Sequence, residues 1–182
     1  KAELWNLTAG WRSGHAGNVV LRFQPGAVDG SARFNFLDEV RLGTPYEVAD
    51  AQNIAMMLCD PQGRGLADHW EKTAYSLLTG LILHVLYAAR AEDGQASLAD
   101  VAYALSNPAR EPEELYAEMV ANRHLDGDRH AVVAATGRDM LNREGRERSG
   151  VHSTATTYLE VFRDPLIARN TPPTFTSGRH SS

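Results

Sequence analysis

The chain has one cysteine, Cys59, in 182 residues, so it cannot close an internal disulfide, and no Cys/His spacing in it resembles a zinc site. Both absences fit a reducing compartment. Positive charge is also short: 18 Lys and Arg stand against 23 Asp and Glu, a formal charge of −5. A dedicated duplex-DNA binder is usually basic, so only a local patch could hold nucleic acid. No secretory signal opens the chain and its first residue is Lys1, so it reads as an excised piece of a longer protein. Nor is there an uninterrupted apolar run of the ~20 residues a bilayer needs; the longest carries Gly80 and His84. Two glycine pairs, Gly14 with Gly17 and Gly63 with Gly65, lack the Lys-Ser/Thr that a phosphate loop requires after a strand, and read as turns.

What is present is helical patterning over an apolar share of 43%, ordinary for a globular core. Asp68 to Arg90 is the organising stretch. Trp70, Ala74, Leu77, Leu81, Val85 and Ala88 recur at helical spacing, and Leu78, Ile82, Leu83 and Leu86 sit beside them. The pattern predicts a helix apolar nearly all round, capped by Asp68 with Glu71, with Trp70 in the core and other helices packed around it.

Residues 1–44 read differently. Glu3 to Trp11 has helical spacing with Leu4, Leu7 and Trp11 on one face, and Val19 to Phe23 is a β-branched, mostly apolar run. That run predicts a strand, and a lone strand needs a sheet whose other strands are mostly missing from this sequence. Ala32 to Val40 stays unassigned.

From Thr44 the signals are helical. Thr44-Pro45-Tyr46-Glu47 is a capping box with threonine as N-cap and proline in the first turn. Val48, Ala51, Ala55 and Leu58 follow as an apolar stripe, and Asp60 to Gly63 is a turn. After the central helix, Ser97 and Asp100 open a third helix, and Pro112, Glu113 and Glu114 a fourth. A fifth runs roughly from Arg129 to Arg143, capped by Asp126 or Asp128. Gly145 to Gly150 reads as a charged loop, and Ser149 caps a sixth helix with Val151, Ala155, Tyr158, Leu159 and Phe162 on one side. Asp164-Pro165 ends it. The fold expected is mainly α: a multi-helix all-α domain of about six helices over 45–168, a short α/β piece over 1–44, and an unstructured tail over 169–182.

Seven histidines invite a metal or catalytic reading. His69-Trp70-Glu71 is not a zinc-protease helix, which needs two histidines four apart. His69 and His84 lie about four turns apart on one helix. Ser153 beside His152 lacks the glycine-flanked elbow of a serine nucleophile. No catalytic, cofactor-binding or metal-ligating residue is assigned. The best local candidates for binding a partner or DNA are Arg138, Arg143, Arg146 and Arg148, although Asp139, Glu144 and Glu147 interleave with them in the manner of an internally paired surface. Trp5, Trp11 and Trp70 stand among Leu and Ala, as core or interface residues do.

Several runs carry a family resemblance: Glu3-Leu-Trp-Asn-Leu-Thr-Ala-Gly-Trp-Arg12, Asn18-Val-Val-Leu-Arg-Phe23, Ala32-Arg-Phe-Asn35, Ala49-Asp-Ala-Gln-Asn-Ile54, Asp68-His-Trp70 and Phe162-Arg-Asp-Pro-Leu-Ile-Ala-Arg-Asn170. In that order they resemble the TraG/TraD group of conjugative coupling proteins. The resemblance implies a region between the Walker A and Walker B motifs of a membrane-anchored, hexameric motor ATPase: a piece of the nucleotide-binding domain over 1–44, then an inserted all-α domain. It further implies ATP and magnesium in the parent but no cofactor in this chain. Its implied partners are a relaxase, secreted effector proteins or single-stranded DNA, met at the cytoplasmic face of the bacterial inner membrane. The expectation for this chain alone is a non-enzymatic, monomeric cargo-recognition module, with a single-stranded DNA-binding module as the alternative. Phe36 departs from the family, which tends to have proline there.

Overall fold

In the computed structural model, α3 (His69–Ala91) is the axis around which the helices assemble. Its start is fixed locally: the Asp68 carboxylate accepts the Glu71 N–H at 2.8 Å, and the Glu71 carboxylate reaches back to the Ala67 N–H at 2.6 Å. Its end is a turn in which Asp93 takes a positive φ of 54°. Leu77, Leu78, Leu81, Ile82 and Leu83 are all buried. Residues 2–125 and 127–173 are described, of residues 2–4 the backbone alone. Asp126, one of two expected caps, and residues 174–182, most of the expected tail, lie outside them.

Against α3 pack α2 (Glu47–Cys59), α4 (Leu98–Ser106), α6 (Ala131–Asn142) and α7 (Gly145–Leu159), while α5 (Pro112–Ala121) pairs with α6. The α3–α6 crossing is close because Gly80 has no side chain: a Cβ there would lie 2.4 Å from the Thr136 hydroxyl. Gly137 does the same for α5 and α6, where a Cβ would meet the Tyr116 carbonyl at 2.6 Å. By length and mean hydropathy (1.3) α3 could cross a membrane. Its apolar surface is instead covered by these four neighbours, as in the core helix of a globular bundle.

Several caps fall where the sequence places them. Asp100 accepts the Ser97 N–H at 2.7 Å, and Pro112 stands at the start of α5. Asp164-Pro165, expected only to end the sixth helix, also opens one: the Asp164 carboxylate accepts from the Leu166 N–H at 2.7 Å at the start of α8 (Pro165–Asn170). Asp164-Pro165 therefore starts a further short helix after a 3-10 turn over Glu160–Arg163. Others differ. α6 is capped by His130, whose Nδ1 accepts from the Val133 N–H, and Asp128 sits instead in a tight turn with Leu125. Gly145 to Gly150 is helical: α7 begins at Gly145 because Arg143 pairs with Glu147 one turn on, and Arg148 with Glu113 across on α5 at 2.6 Å. The tail begins later than residue 169, since Asn170 and Thr171 are buried.

The N-terminal stretch holds the larger correction. α1 (Ala2–Gly14) forms, but Leu7 and Trp11 on its expected inner face are 78% and 62% exposed. Val19 to Phe23 is extended without any ladder, with Val19 89% and Leu21 73% exposed, and no named strand occurs among the described residues. The run's backbone contact with the rest of the described residues is a single hydrogen bond, from the Ala32 N–H to the Arg22 carbonyl at 2.6 Å, and one such bond does not make a ladder. The unassigned Ala32–Val40 contains a 3-10 turn, Phe36–Glu39, capped by the buried Asn35. Asn35 also donates to the Ala96 carbonyl at 2.9 Å. Asn170 donates to the carbonyls of Pro25 and Ala27 at 2.7 and 2.9 Å, tying residues 25–27 to the end of α8.

Candidate functional site

The four arginines singled out in the sequence do not converge. Arg143 is held by Asp139 at 2.7 Å and by Glu147, and Arg148 by Glu113 and by the carbonyls of Leu141 and Arg143 at the α6–α7 corner. Both guanidinium groups are mostly buried, at 17% and 18% exposure. Only Arg138 and Arg146 stand in solvent. Burial lowers and the two carboxylates raise the Arg143 pKa, with a net rise. The pair Arg143 and Arg148 thus joins helices, and its charge is already matched.

The glycine loops are similarly occupied. The Asp60 carboxylate accepts the N–H groups of Arg64 at 2.9 Å and Gly65 at 2.5 Å, which pulls its pKa down. The amides a phosphate would need are thus turned onto a carboxylate. At Gly14–Gly17 the backbone N–H groups of His15 and Asn18 close the end of α1 on the carbonyls of Trp11 and Arg12.

The histidines divide by environment. His69 is on the surface, 2.9 Å from Glu147. His152 is satisfied at both nitrogens, by the Tyr116 hydroxyl at 2.7 Å and the Leu105 carbonyl at 2.9 Å, while Ser153 beside it is exposed. His84 is buried on α3, with its Nδ1 2.9 Å from His124 Nε2 and its Nε2 3.5 Å from Glu118. Burial drives the His84 pKa down from 6.5 to about 4, with Glu118 opposing and His124 adding to the drop. Among the described residues no group of three or more His, Cys, Asp or Glu side chains is disposed to hold a metal ion.

Sequence reasoning missed the long-range network centred on Glu47. This residue was assigned to a cap on Thr44, but its carboxylate accepts from the Gly43 N–H at 2.7 Å, from the Tyr87 hydroxyl at 2.7 Å and lies 3.1 Å from His130 Nε2. Burial pushes the Glu47 pKa up, and these three partners more than reverse it. Burial, and after it the same carboxylate, pushes the Tyr87 pKa up to about 12. This network ties the starts of α2 and α6 to the last turns of α3, beneath an open cleft of about 600 Å³ lined by Tyr87, Arg90, Arg123 and His124.

Trp70 is the second surprise. Its ring lies over Gly150 of α7, where a Cβ would come within 2.7 Å of it, and 40% of the residue faces solvent. Met57 (54%) and Tyr103 are also exposed on helices whose inner faces are complete. A second groove, of about 620 Å³, runs between residues 34–41 and α2.

The sequence pattern of a family described as Type IV secretory system Conjugative DNA transfer matches residues 1–176. The chain belongs to this family. Two proteins of Escherichia coli, each called Conjugal transfer protein TraG, are 50% and 51% identical to it over 170 residues, 93% of this chain. The chain spans about a quarter, 27%, of the length of each. No solved structure matches it. This is therefore a TraG-type coupling-protein chain, and the runs that carry the likeness have visible structural duties. Asn35 and Asn170 bind backbone across the fold, Asp68 caps α3, and Asp164 caps α8. Phe36, the departure from the family pattern, is edge-on to Phe34 at 5.2 Å and to the buried Phe162 at 6.2 Å, a place where proline could supply no aromatic edge.

Proposed function

We propose that this chain is the cargo-docking, helical part of a conjugative coupling protein, receiving a relaxase–DNA complex or effector proteins at the cytoplasmic face of the inner membrane. In this reading residues 1–44 are a piece of the parent's nucleotide-binding domain and 45–168 the inserted all-α domain. ATP, magnesium and the hexameric assembly belong to the parent, and the isolated chain is a monomer that does not hydrolyse ATP.

The observation that carries the reading is the set of large apolar side chains, Trp70, Met57 and Tyr103, left exposed on a helical bundle whose core is already filled. The exposed part of such side chains lies outside the core and suits contact with another protein. The filled amide loops at Gly63–Gly65 and Gly14–Gly17 support a docking role over a nucleotide-handling one. Single-stranded DNA binding would rest on Arg138 and Arg146, since Arg143 and Arg148 are neutralised.

The test is capture of the cognate relaxase by the immobilised chain, with and without DNA. Capture without DNA that weakens in Trp70→Ala or Tyr103→Ala is the expected result. Capture that needs DNA and fails in an Arg138→Ala, Arg146→Ala double variant would favour the nucleic-acid alternative. ATP turnover by the isolated chain would contradict the non-enzymatic part.

A further inference from the structure

We propose that the groove between residues 34–41 and α2 seats a basic, apolar-anchored segment of the cargo protein. The proposal rests on the cargo-docking reading and specifies its place and chemistry. The groove, about 620 Å³, has an apolar wall formed by Phe34, Phe36, Ile54 and Met57. Phe34 is 40% and Met57 54% exposed, so apolar area is open to an incoming side chain.

That wall is held in place before anything binds. Phe36 meets the rings of Phe34, Phe23 and Phe162 edge-on at 5.2, 6.1 and 6.2 Å, and Phe162 is anchored in the core. A preformed aromatic wall loses little freedom on binding, while the unbranched Met57 thioether can adapt to the anchor's shape.

The rim sets the charge of the occupant. Asp38, Glu39 and Asp50 line it with a single cation, Arg41. Arg41 is held bidentately by Asp50, with Nε–Oδ2 and Nη2–Oδ1 both 2.8 Å, so its charge is matched. Asp38 accepts from the Asn35 Nδ2 at 2.7 Å, and the exposed Glu39 leaves the rim net negative. Nucleic acid and anionic lipid are repelled by such a rim. A segment with an aromatic or aliphatic anchor flanked by Arg or Lys satisfies both halves of the groove.

The test is fluorescence anisotropy of the 182-residue chain with three labelled short peptides: one with Phe and Leu anchors between arginines, one with glutamates for the arginines, and one with serines for the anchors. The first is expected to bind, and the other two to bind at least about tenfold more weakly. Met57→Lys should weaken the first peptide by about tenfold while leaving the melting temperature unchanged, because the side chain is already exposed. Glu39→Lys should weaken it less and flatten its salt dependence.

Absence of binding, equal binding of the acidic peptide, or indifference to Met57→Lys would each overturn the proposal. So would self-association of the chain that Met57→Lys abolishes, which would make the groove a contact between copies. Equal relaxase capture by the wild type and Met57→Lys would leave the docking reading standing and remove the groove. Binding of the basic peptide without capture of any relaxase would support the groove and remove the docking reading.

Discussion

Val19 to Phe23 and Leu77 to Leu83 are both apolar runs, yet the first lies open to solvent and the second is fully covered. The difference is one of partners. Leu77–Leu83 lies on a helix that satisfies its own backbone and meets four neighbours supplied by the same chain. Val19–Phe23 has the composition of a strand, and an extended run cannot satisfy its own backbone as a helix does. Among the described residues the run therefore stays largely exposed, tied to the rest only at Phe23, which meets Phe34 and Phe36, and at the Arg22 carbonyl, whereas the helices from α2 onward complete their own core.

This contrast can be broken or sharpened by mutation. The largest effect is expected for Leu78→Ala, which empties a fully buried site and should cost about 2–5 kcal/mol in chemical denaturation. Gly137→Ala, which drives a methyl group toward the Tyr116 carbonyl, should cost about 1–3 kcal/mol by the same measurement.

Acid should act on the helical part through His84. Its folded pKa, about 4, lies below the ordinary 6.5, so the unfolded chain binds the proton more readily. Stability is full above about pH 6.5 and falls as the pH drops toward 4. Melting scans should show that loss, and His84→Gln should flatten it; an unchanged slope in the variant would assign the acid sensitivity elsewhere.

Trp70→Ala should cost about 1–2 kcal/mol rather than the 3–5 of a fully buried ring, because the residue is 40% exposed over Gly150. Smallest of all, Leu21→Ser should change stability by no more than about 0.5 kcal/mol. A large loss in Leu21→Ser would show that residues 19–23 pack in solution, and the contrast between the two regions would fail.

Much of the helical order is legible from short-range chemistry. Asp68, Ser97 with Asp100 and Pro112 each mark a helix start with side chains that act within one turn, whereas Asp164-Pro165 reads as a helix end and opens a further short helix. α7 was not legible at its start because Gly145 to Gly150 has the look of a loop and becomes helical through ion pairs, one of them reaching Glu113 on another helix. The candidate site was less legible still. Four arginines close in sequence suggested a patch, and long-range pairing dissolved it. The groove between residues 34–41 and α2 joins residues that no local pattern links.

The sequence alone determined that the chain is mainly helical, where most helices begin, and the family to which it is akin, since these depend on spacing, caps and residue runs. Only the tertiary structure decided that Trp70 faces outward, that Glu47 reaches Tyr87 and His130, that Arg143 and Arg148 are neutralised, and that Val19–Phe23 joins no sheet among the described residues. The reason is physical: a cap or an apolar stripe is a property of neighbours along the chain. Exposure, ion pairing and sheet formation depend on which surfaces meet, and those are chosen when the helices pack.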